Sequence, residues 1–401
     1  MREQWDVIVV GAGPSGSQTA RLLAGQGRSV LVLEEHGQVG TPVHCSGFVT
    51  PRTLDEAKIG NGVIYNSVVG AQVFGPQGTT LELGGDRVHA FVVDRAGLDK
   101  AVAAAAQEAG ADLLLEARVL SVDRGPYGVT VRVRRQGMEQ TLSARLVVGA
   151  DGVRSVVRTW AGARVGELIW CAGAEVRLTD HPKDMVRLYV GREMAPDWFG
   201  WTIPMGDGRV RLGVGTRMTP GGTKPRHLLD GILRSYPDHF RNMEVIAPGG
   251  GYIPLYCRTQ SYAERALLVG DAALQVKATS GGGIYMGLVA ARHAAEVAHG
   301  ALEADDLSPA RLSSYEKRWR ADFGHELERG SVMRNASVKL SDTQIARLMR
   351  FLAQPMMRPL LNKYGDIDYP SPMFGRVMGA FPSVLNVLRL PKRLPAMWQA
   401  E

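Results

Sequence analysis

The first 34 residues of this 401-residue chain constrain its fold more than any other segment. Residues 5–10 (WDVIVV) are a short β-branched run typical of a buried parallel strand. GAGPSG follows at residues 11–16, a helical pattern occupies residues 17–25, and a second strand, SVLVLE, spans residues 29–34. This order is that of a βαβ unit, so we predict an α/β fold that contains a parallel sheet.

Gly11, Gly13 and Gly16 form a G-x-G-x-x-G motif in the turn after the first strand. The first glycine permits the tight turn, the second lets the backbone approach a pyrophosphate, and the third lets the helix pack on the strand. The N–H groups of the first helical turn then face the phosphates. Glu34 ends the second strand 23 residues after Gly11, where a carboxylate accepts hydrogen bonds from an adenosine ribose. These features predict a dinucleotide site.

Two further motifs indicate that the dinucleotide is FAD. No second G-x-G-x-x-G lies in a βαβ pattern, which predicts one tightly bound dinucleotide. An Asp-Gly turn lies within residues 149–158 (GADGVRSVVR), and Asp271 follows the buried strand at residues 265–269, where its carboxylate can hold ribityl or ribose hydroxyls. Residues 281–283 (GGG) open a helix whose positive end suits the N1–C2=O region of a flavin, which becomes anionic on reduction.

Strand-like alternation in the middle of the chain interrupts the βαβ pattern, and helical patterns follow it. We therefore predict a discontinuous Rossmann-like FAD-binding domain, an antiparallel-sheet substrate domain and a helical C-terminal region. The predicted bounds are 1–70, 91–165 and 262–304 for the FAD-binding domain, 71–90 and 166–261 for the substrate domain, and 305–401 for the C-terminal region.

The composition excludes several other classes of protein. With 45% hydrophobic and 22% charged residues the chain is of ordinary globular type, and it has no apolar run long enough to span a membrane. The N-terminus enters a strand without the apolar segment of a signal peptide. Three cysteines are too few for a disulfide framework, and no CxxC or HExxH spacing predicts a metal site. We expect a cytoplasmic protein that holds no metal.

Positive charge is concentrated in the C-terminal segment 331–401. This segment holds ten of the Lys and Arg residues and four acidic residues, so it carries +6 of the net charge of +7; it also holds seven of the fifteen methionines. Basic and Met-rich together suit a membrane surface or an apolar ligand better than a phosphate backbone. We expect no nucleic-acid partner, and either peripheral contact with the inner face of the membrane or an ordinary basic helical surface.

Several motifs in combination resemble the geranylgeranyl reductase family, within the flavoprotein group that includes aromatic hydroxylases. The resemblance rests on TPVHCSG (41–47), VDRAGLD (93–99), GADGVRSVVR (149–158), WFGWTIP (198–204) and QVKATSGGGIYMG (275–287), and it spans about residues 5–300. It implies an FAD-dependent oxidoreductase that reduces C=C bonds of a polyprenyl chain on a lipid, a diphosphate or a quinone.

The resemblance also implies roles for individual residues. Implied cofactor contacts are Ser15 and Glu34 at the ADP half of FAD, Val119 at the adenine, Arg95 as a support, Cys45 and Ser46 near the flavin ring, and Asp271, Gly283 and Ile284 along the ribityl chain and isoalloxazine. Implied contacts to the prenyl chain are Phe199, Trp201 and Tyr285. The sequence departs from the family pattern at Ser46, Phe199, Ile203 and Ala278.

Cys45 is the candidate catalytic residue. Saturation of an isolated alkene takes a hydride and a proton and passes through a carbocation-like centre, and a thiol beside the flavin can donate or relay the proton. His44 is a possible second donor. The alternative interpretation of Cys45 is a small buried residue in a loop rich in Gly and Pro.

Two other functions share the flavin motifs. One is an FAD monooxygenase of aromatic or polyketide-like substrates, for which the cysteine loop has no evident use. The other is a lipid carrier that retains FAD as a structural element. The sequence leaves open whether NADPH, a ferredoxin or another electron-donor protein reduces the flavin.

Overall fold

A computed structural model describes residues 4–125 and 128–381. Three basic residues of the C-terminal segment discussed above lie outside the described residues: Arg389, Lys392 and Arg393.

The described residues form eighteen strands and eleven α-helices. In chain order the strands are β1 (Gln4–Val10), β2 (Val30–Leu33), β3 (Phe48–Val49), β4 (Ile64–Val68), β5 (Gly70–Phe74), β6 (Thr80–Gly84), β7 (Ala90–Val93), β8 (Asp112–Leu114), β9 (Arg118–Gly125), β10 (Gly128–Arg135), β11 (Met138–Gly149), β12 (Leu168–Arg177), β13 (Met185–Tyr189), β14 (Gly200–Gly206), β15 (Arg209–Arg217), β16 (Glu244–Pro254), β17 (Tyr262–Ala263) and β18 (Ala266–Leu268). The helices are α1 (Pro14–Gly25), α2 (Pro51–Ala57), α3 (Arg95–Glu108), α4 (Val156–Trp160), α5 (Pro225–Ser235), α6 (Ile284–Glu303), α7 (Pro309–Trp319), α8 (His325–Ser337), α9 (Asp342–Leu352), α10 (Arg358–Tyr364) and α11 (Ser371–Ala380).

The first sheet has a parallel centre with the order β18-β11-β1-β2-β8. β17 pairs antiparallel with β18, and β10 and β9 extend β11 as an antiparallel meander. Alternate residues of β1 enter two separate cores, since Val7 and Val9 pack with α1 and α6 while Ile8 and Val10 pack with β9, β10 and β11. Coverage of both faces explains the continuous apolar runs in the sequence.

Two separate segments of the chain build the second, seven-stranded sheet. Its order is β16-β12-β15-β14-β13-β5-β6, and all neighbours are antiparallel except β13 and β5. Both segments predicted for the substrate domain contribute strands to it. A third, small antiparallel sheet has the order β3-β7-β4.

Helix α1 begins at Pro14, three residues before the predicted start. Proline is suited to the first helical position because its missing N–H would have no partner there. None of the helices within the described ranges is both long and apolar enough to cross a membrane.

A buried ion pair ties the C-terminal region to the FAD-binding half of the chain. Lys277 lies between β18 and α6, and its ammonium donates to Asp368 Oδ1 over 3.0 Å and to the Ile367 carbonyl over 2.7 Å. Asp368 Oδ2 also accepts a hydrogen bond from the Thr50 hydroxyl over 2.5 Å. Both charged side chains are 4% exposed. The segment between α10 and α11 is thereby held against the loop before α6.

Gly16 marks the closest contact between α1 and the parallel sheet. A Cβ at Gly16 would overlap the Gly11 carbonyl and lie 2.9 Å from the Ala150 Cβ. We therefore expect Gly16→Ala to lower the free energy of unfolding by about 2 kcal/mol, the usual size of an overpacking effect. Urea denaturation followed by circular dichroism measures it. Gly25→Ala is the matched control in the same helix, where a Cβ would meet no atom within 4 Å, and equal losses in the two variants would contradict this account.

Candidate active site

One large cavity lies where the first sheet, the second sheet and the C-terminal helices meet. Its volume is about 1,730 Å³. Small-molecule pockets usually measure roughly 300–1,000 Å³, so the space suits more than one ligand. Every residue that the sequence assigns to the cofactor or the substrate lines this cavity, apart from Gly16.

The glycine turn leaves the N-terminus of α1 open toward the cavity. Gly11 has a φ of +99°, a conformation that a residue with a side chain rarely adopts, and its Cα faces the Ala150 carbonyl. Around Gly13 there is no atom within 4 Å of a would-be Cβ, and no side chain caps the helix. Gly16 instead packs against Gly11, as its predicted role in helix packing requires. The free N–H groups and helix dipole suit a pyrophosphate.

Glu34 lies beside this turn, just after β2. Its Oε2 accepts a hydrogen bond from the Ala12 N–H over 3.0 Å, and its Oε1 accepts one from the His36 N–H over 3.0 Å. The His36 ring also contacts Oε1 at 2.6 Å. Val119, in β9, lines the same end of the cavity. The carboxylate is therefore held in place by the turn itself, next to the region predicted to hold the adenosine.

Asp271 and the start of α6 form the next part of the cavity wall. Burial raises the pKa of Asp271 to about 6, although Arg95 and Arg158 act in the opposite direction. A Cβ at Gly283 would lie 3.1 Å from Asp271 Oδ1, and Gly283 precedes α6 without a capping side chain. The Ser15 hydroxyl packs against Gly270. This contact brings the N-termini of α1 and α6 close together. Ile284, the first residue of α6, lines the cavity beside them.

The Asp-Gly turn after β11 braces this wall. Asp151 accepts hydrogen bonds from the Ser155 hydroxyl over 2.5 Å and from the Val156 N–H over 2.7 Å at the start of α4. The Arg158 guanidinium donates to the Val153 carbonyl over 2.6 Å and to the Asp271 carbonyl over 3.4 Å. Asp151 therefore holds the start of α4 in place, and Arg158 fixes the backbone of Asp271.

The cysteine loop, residues 41–47, covers the cavity from another side. The His44 Nδ1 lies 3.0 Å from the Gly250 carbonyl, so the loop is anchored to β16. Cys45 is half-buried, and the Gly47 N–H donates to its Sγ over 3.4 Å. Ser46 turns its carbonyl outward from the loop, where it accepts a hydrogen bond from Arg211 of β15 over 2.7 Å.

Arg95 begins α3 beside the cysteine loop. Its guanidinium forms a two-point ion pair with Asp99, with distances of 2.5 Å and 2.9 Å. Despite burial, which acts to lower it, the pKa of Arg95 is raised by Asp99 and Cys45, and the guanidinium hydrogen-bonds the cysteine. Burial raises the pKa of Asp99 in turn. The Arg95 guanidinium next to the Cys45 thiol therefore has its charge balanced by the Asp99 carboxylate.

The far part of the cavity is apolar. The second sheet contributes one wall, formed by Ala71, Val73, Leu81, Val186 and Leu188. The C-terminal helices contribute further apolar lining, formed by Met333, Leu348, Met349, Leu361, Met373 and Met378. Four of the seven methionines of the basic segment therefore face the interior of this cavity.

Aromatic side chains also line the cavity. Phe199 stacks on Trp198 with ring centroids 5.0 Å apart and meets Trp201 edge to face at 6.0 Å. Gly213 of β15 leaves the space that the Trp201 indole occupies. Tyr285 also lines the cavity, where it packs edge to face on Tyr369 of the C-terminal region with centroids 6.2 Å apart.

Sequence reasoning missed four polar residues of this site. They are Asp99, Arg211, Lys277 and Asp368. Asp99 and Lys277 stand inside the motifs VDRAGLD and QVKATSGGG, so their positions carried a signal. Arg211 and Asp368 lie in an ordinary strand pattern and in a loop, and nothing local in the sequence distinguishes them.

The residues present fit FAD. Two uncapped helix N-termini, the Glu34 carboxylate and the buried Asp271 carboxylate face one continuous space. The α1 N-terminus matches the pyrophosphate, and Glu34 matches the ribose. Asp271 matches the ribityl hydroxyls, and the α6 N-terminus matches the pyrimidine edge of a flavin.

The Asp271 carboxylate lowers the free energy of unfolding of the flavin-free protein at neutral pH. Because its folded-state pKa of about 6 exceeds the ordinary 3.8, stability is lost as the pH rises from about 4 to about 6. We expect Asp271→Asn to stabilise the flavin-free protein by about 3 kcal/mol above pH 6, with the gain shrinking toward pH 4, and to weaken FAD binding. Urea unfolding at pH 5 and pH 7.5, with FAD titration, measures both. A gain that does not depend on pH would contradict this assignment.

Comparisons with known proteins agree with this geometry. The family described as FAD binding domain matches residues 4–172. Digeranylgeranylglycerophospholipid reductase 1 of Methanococcoides burtonii is 32% identical over 360 residues, which cover 87% of each chain. Digeranylgeranylglycerophospholipid reductase 2 of Methanopyrus kandleri is 34% identical, over 80% of this chain and 83% of the relative.

A solved structure extends the match to the whole fold. The geranylgeranyl bacteriochlorophyll reductase-like protein of Thermoplasma acidophilum superposes with a TM-score of 0.87 at 26% identity, over 96% of this chain and 99% of the other. The predicted α/β fold with its FAD-binding domain and helical C-terminal region is confirmed. The chain belongs to the geranylgeranyl reductase family of FAD-dependent oxidoreductases.

Proposed function

We propose that this protein reduces C=C bonds in the geranylgeranyl-type chains of a membrane lipid. The observation that carries the proposal is the single cavity, which is polar at the FAD end and apolar between the second sheet and the C-terminal helices. A cofactor and a long hydrocarbon chain can therefore meet inside one water-poor space. The names of the relatives, digeranylgeranylglycerophospholipid reductases, support a phospholipid with two such chains as the substrate.

In this proposal the bound flavin supplies a hydride and Cys45 supplies the proton. The apolar wall holds the double bond and excludes water, which would otherwise capture a carbocation-like centre. The Gly47 N–H and the Arg95 guanidinium orient the sulfur of Cys45. Phe199, Trp201 and Tyr285 line the cavity, and we assign them to contacts with the prenyl chain.

We also propose which external donors reduce the flavin and where in the cell the protein lies. The sequence has one G-x-G-x-x-G motif in a βαβ unit, so we assign the reduction of the flavin to NADPH from solution or to a ferredoxin-type protein. The substrate is a membrane lipid, and we therefore place the protein in the cytoplasm, in peripheral contact with the inner face of the membrane.

An anaerobic single-turnover experiment tests the function. The bound flavin is reduced with dithionite, geranylgeranyl glycerophospholipid is added, and the lipid is examined by mass spectrometry. We expect a gain of two hydrogens per turnover while the flavin returns to its oxidised spectrum. In D₂O both should be deuterium, since the hydrogen on the dithionite-reduced flavin and the proton of the thiol both come from the solvent. No gain, with reoxidation by oxygen alone, would contradict the proposal and favour a monooxygenase.

Cys45→Ala tests the proton donor. We expect alkene reduction to fall by roughly 100-fold, the lower end of the usual effect of a general acid, while FAD stays bound. Lipid mass spectrometry and the flavin absorbance of the purified variant measure the two quantities. Cys257→Ala is the matched control, because Cys257 is also half-buried and does not line the cavity. Unchanged turnover in the Cys45 variant would remove this residue from the mechanism.

A further inference from the structure

Arg211 is a half-buried cation for which the described residues offer no ion-pair partner. It lies in β15, lines the cavity, and has no carboxylate of the described ranges within salt-bridge distance. Its Nη1 donates to the carbonyls of Ser46 over 2.7 Å and of Val93 over 3.1 Å. Burial lowers the pKa of Arg211, with Cys45 as the largest opposing influence. A buried charge without a partner is costly, and such groups are concentrated at functional sites.

The other charges around Arg211 are already engaged. Glu175 pairs with Arg209 at 3.2 Å, and Asp94 caps α3 through the Gly97 N–H at 3.0 Å. Arg95 is neutralised by Asp99. The titratable and charged groups that face the thiol and Arg211 from the surrounding elements are thus His44, Tyr65, Asp94, Arg95, Asp99, Glu175 and Asp271.

Gly47 brings Arg211 and Cys45 to the same point. Its φ of +65° suits glycine, and a Cβ there would collide with the Arg211 guanidinium and approach the Arg95 side chain to 3.1 Å. The N–H of the same residue donates to the Cys45 sulfur over 3.4 Å. The loop thus lies between two guanidinium groups, one neutralised and one not.

We propose that Arg211 is a positioning residue that stabilises the thiolate left when Cys45 gives up its proton. The inference rests on the proposed function, in which the thiol is the proton donor. Before the proton leaves, the Arg211 guanidinium has no carboxylate partner. After the proton leaves, the thiolate of Cys45 is its anionic partner. Its interaction is therefore stronger after proton transfer than before, which is the condition for favouring the step.

The atoms and electrons of the step balance. One alkene carbon would take a hydride from the reduced flavin, which a nicotinamide or an iron–sulfur electron carrier would reduce again. The S–H bond of Cys45 breaks as its proton forms a C–H bond with the other alkene carbon. The alkene gains two hydrogens, and the S–H electron pair stays on sulfur as a thiolate. Water returns a proton to this thiolate before the next turnover.

Alkylation of Cys45 tests the proposal without any prenyl substrate. The FAD-loaded protein is treated with iodoacetamide between pH 5 and pH 10, and modification of Cys45 is followed by peptide mass spectrometry. Thiolates are the reactive form, so the rate against pH reports the charged state of the sulfur. We expect Arg211→Gln to slow alkylation at pH 7 by about tenfold and to move the half-maximal pH up by about one unit, the lower end of the effect of a nearby opposite charge.

Three variants separate charge from structure. Arg211→Lys keeps the charge and should keep most of the wild-type profile. Arg217→Gln, at the far end of the same strand and outside the cavity lining, is the matched control and should leave the profile unchanged. Arg211→Met removes the charge with an apolar side chain of similar length and should shift the profile as Arg211→Gln does, which supplies a test even where Arg211→Gln does not fold.

Each outcome bears on the proposal. An unchanged profile in Arg211→Gln or in Arg211→Met would overturn the electrostatic role of Arg211. The shifts above, found in a protein that does not reduce prenyl lipids, would overturn the proposed function and leave the charge effect on Cys45 standing. An upward shift that Arg211→Lys shares in full would assign the effect to lost hydrogen bonds to the loop and would also overturn it.

Discussion

The fold depends on the absence of side chains where α1 crosses the parallel sheet. Gly16 lies against the Gly11 carbonyl and Ala150, a contact that no larger residue permits. The same device recurs around Ser15, which packs between Gly270 and Gly287. These contacts bring three distant parts of the chain to one edge of the sheet. Two helix N-termini, with their free N–H groups, consequently face the same cavity.

The buried pair of Lys277 and Asp368 connects this edge to the apolar half of the cavity. Removing two charges from water costs several kcal/mol per ion, so a buried pair adds little to stability compared with apolar residues of the same size. The position of the pair explains better why it is present. The pair joins the loop before α6 to the segment between α10 and α11, and Thr50 adds a third contact. The C-terminal helices supply one apolar wall, and this contact holds them to the cofactor half.

Sequence reasoning found the features that are local and missed those that depend on distant contacts. The Gly11–Gly16 motif, Glu34 and Asp271 follow strands directly, so their spacing revealed their chemistry. Lys277 and Asp368 are 91 residues apart, and Arg211 meets the Ser46 carbonyl across 165 residues. No pattern of propensity or periodicity reports such pairs, because they are selected by the way two sheets pack. The start of α1 was placed too late because Pro14 was not recognised as its first residue.

Asp271 and Arg211 are two of the charges at the cavity that have no ion-pair partner among the described residues, and they have opposite signs. Burial raises the pKa of Asp271 and lowers that of Arg211, so each is drawn toward its neutral form. The neighbouring charges, Glu34, Arg95 and Lys277, are all satisfied by contacts within the protein. A site built only for stability would have no reason to leave two charges unmatched. Cofactor hydroxyls can satisfy Asp271 permanently, whereas a thiolate can satisfy Arg211 only during turnover. The first charge therefore belongs to binding and the second to the reaction.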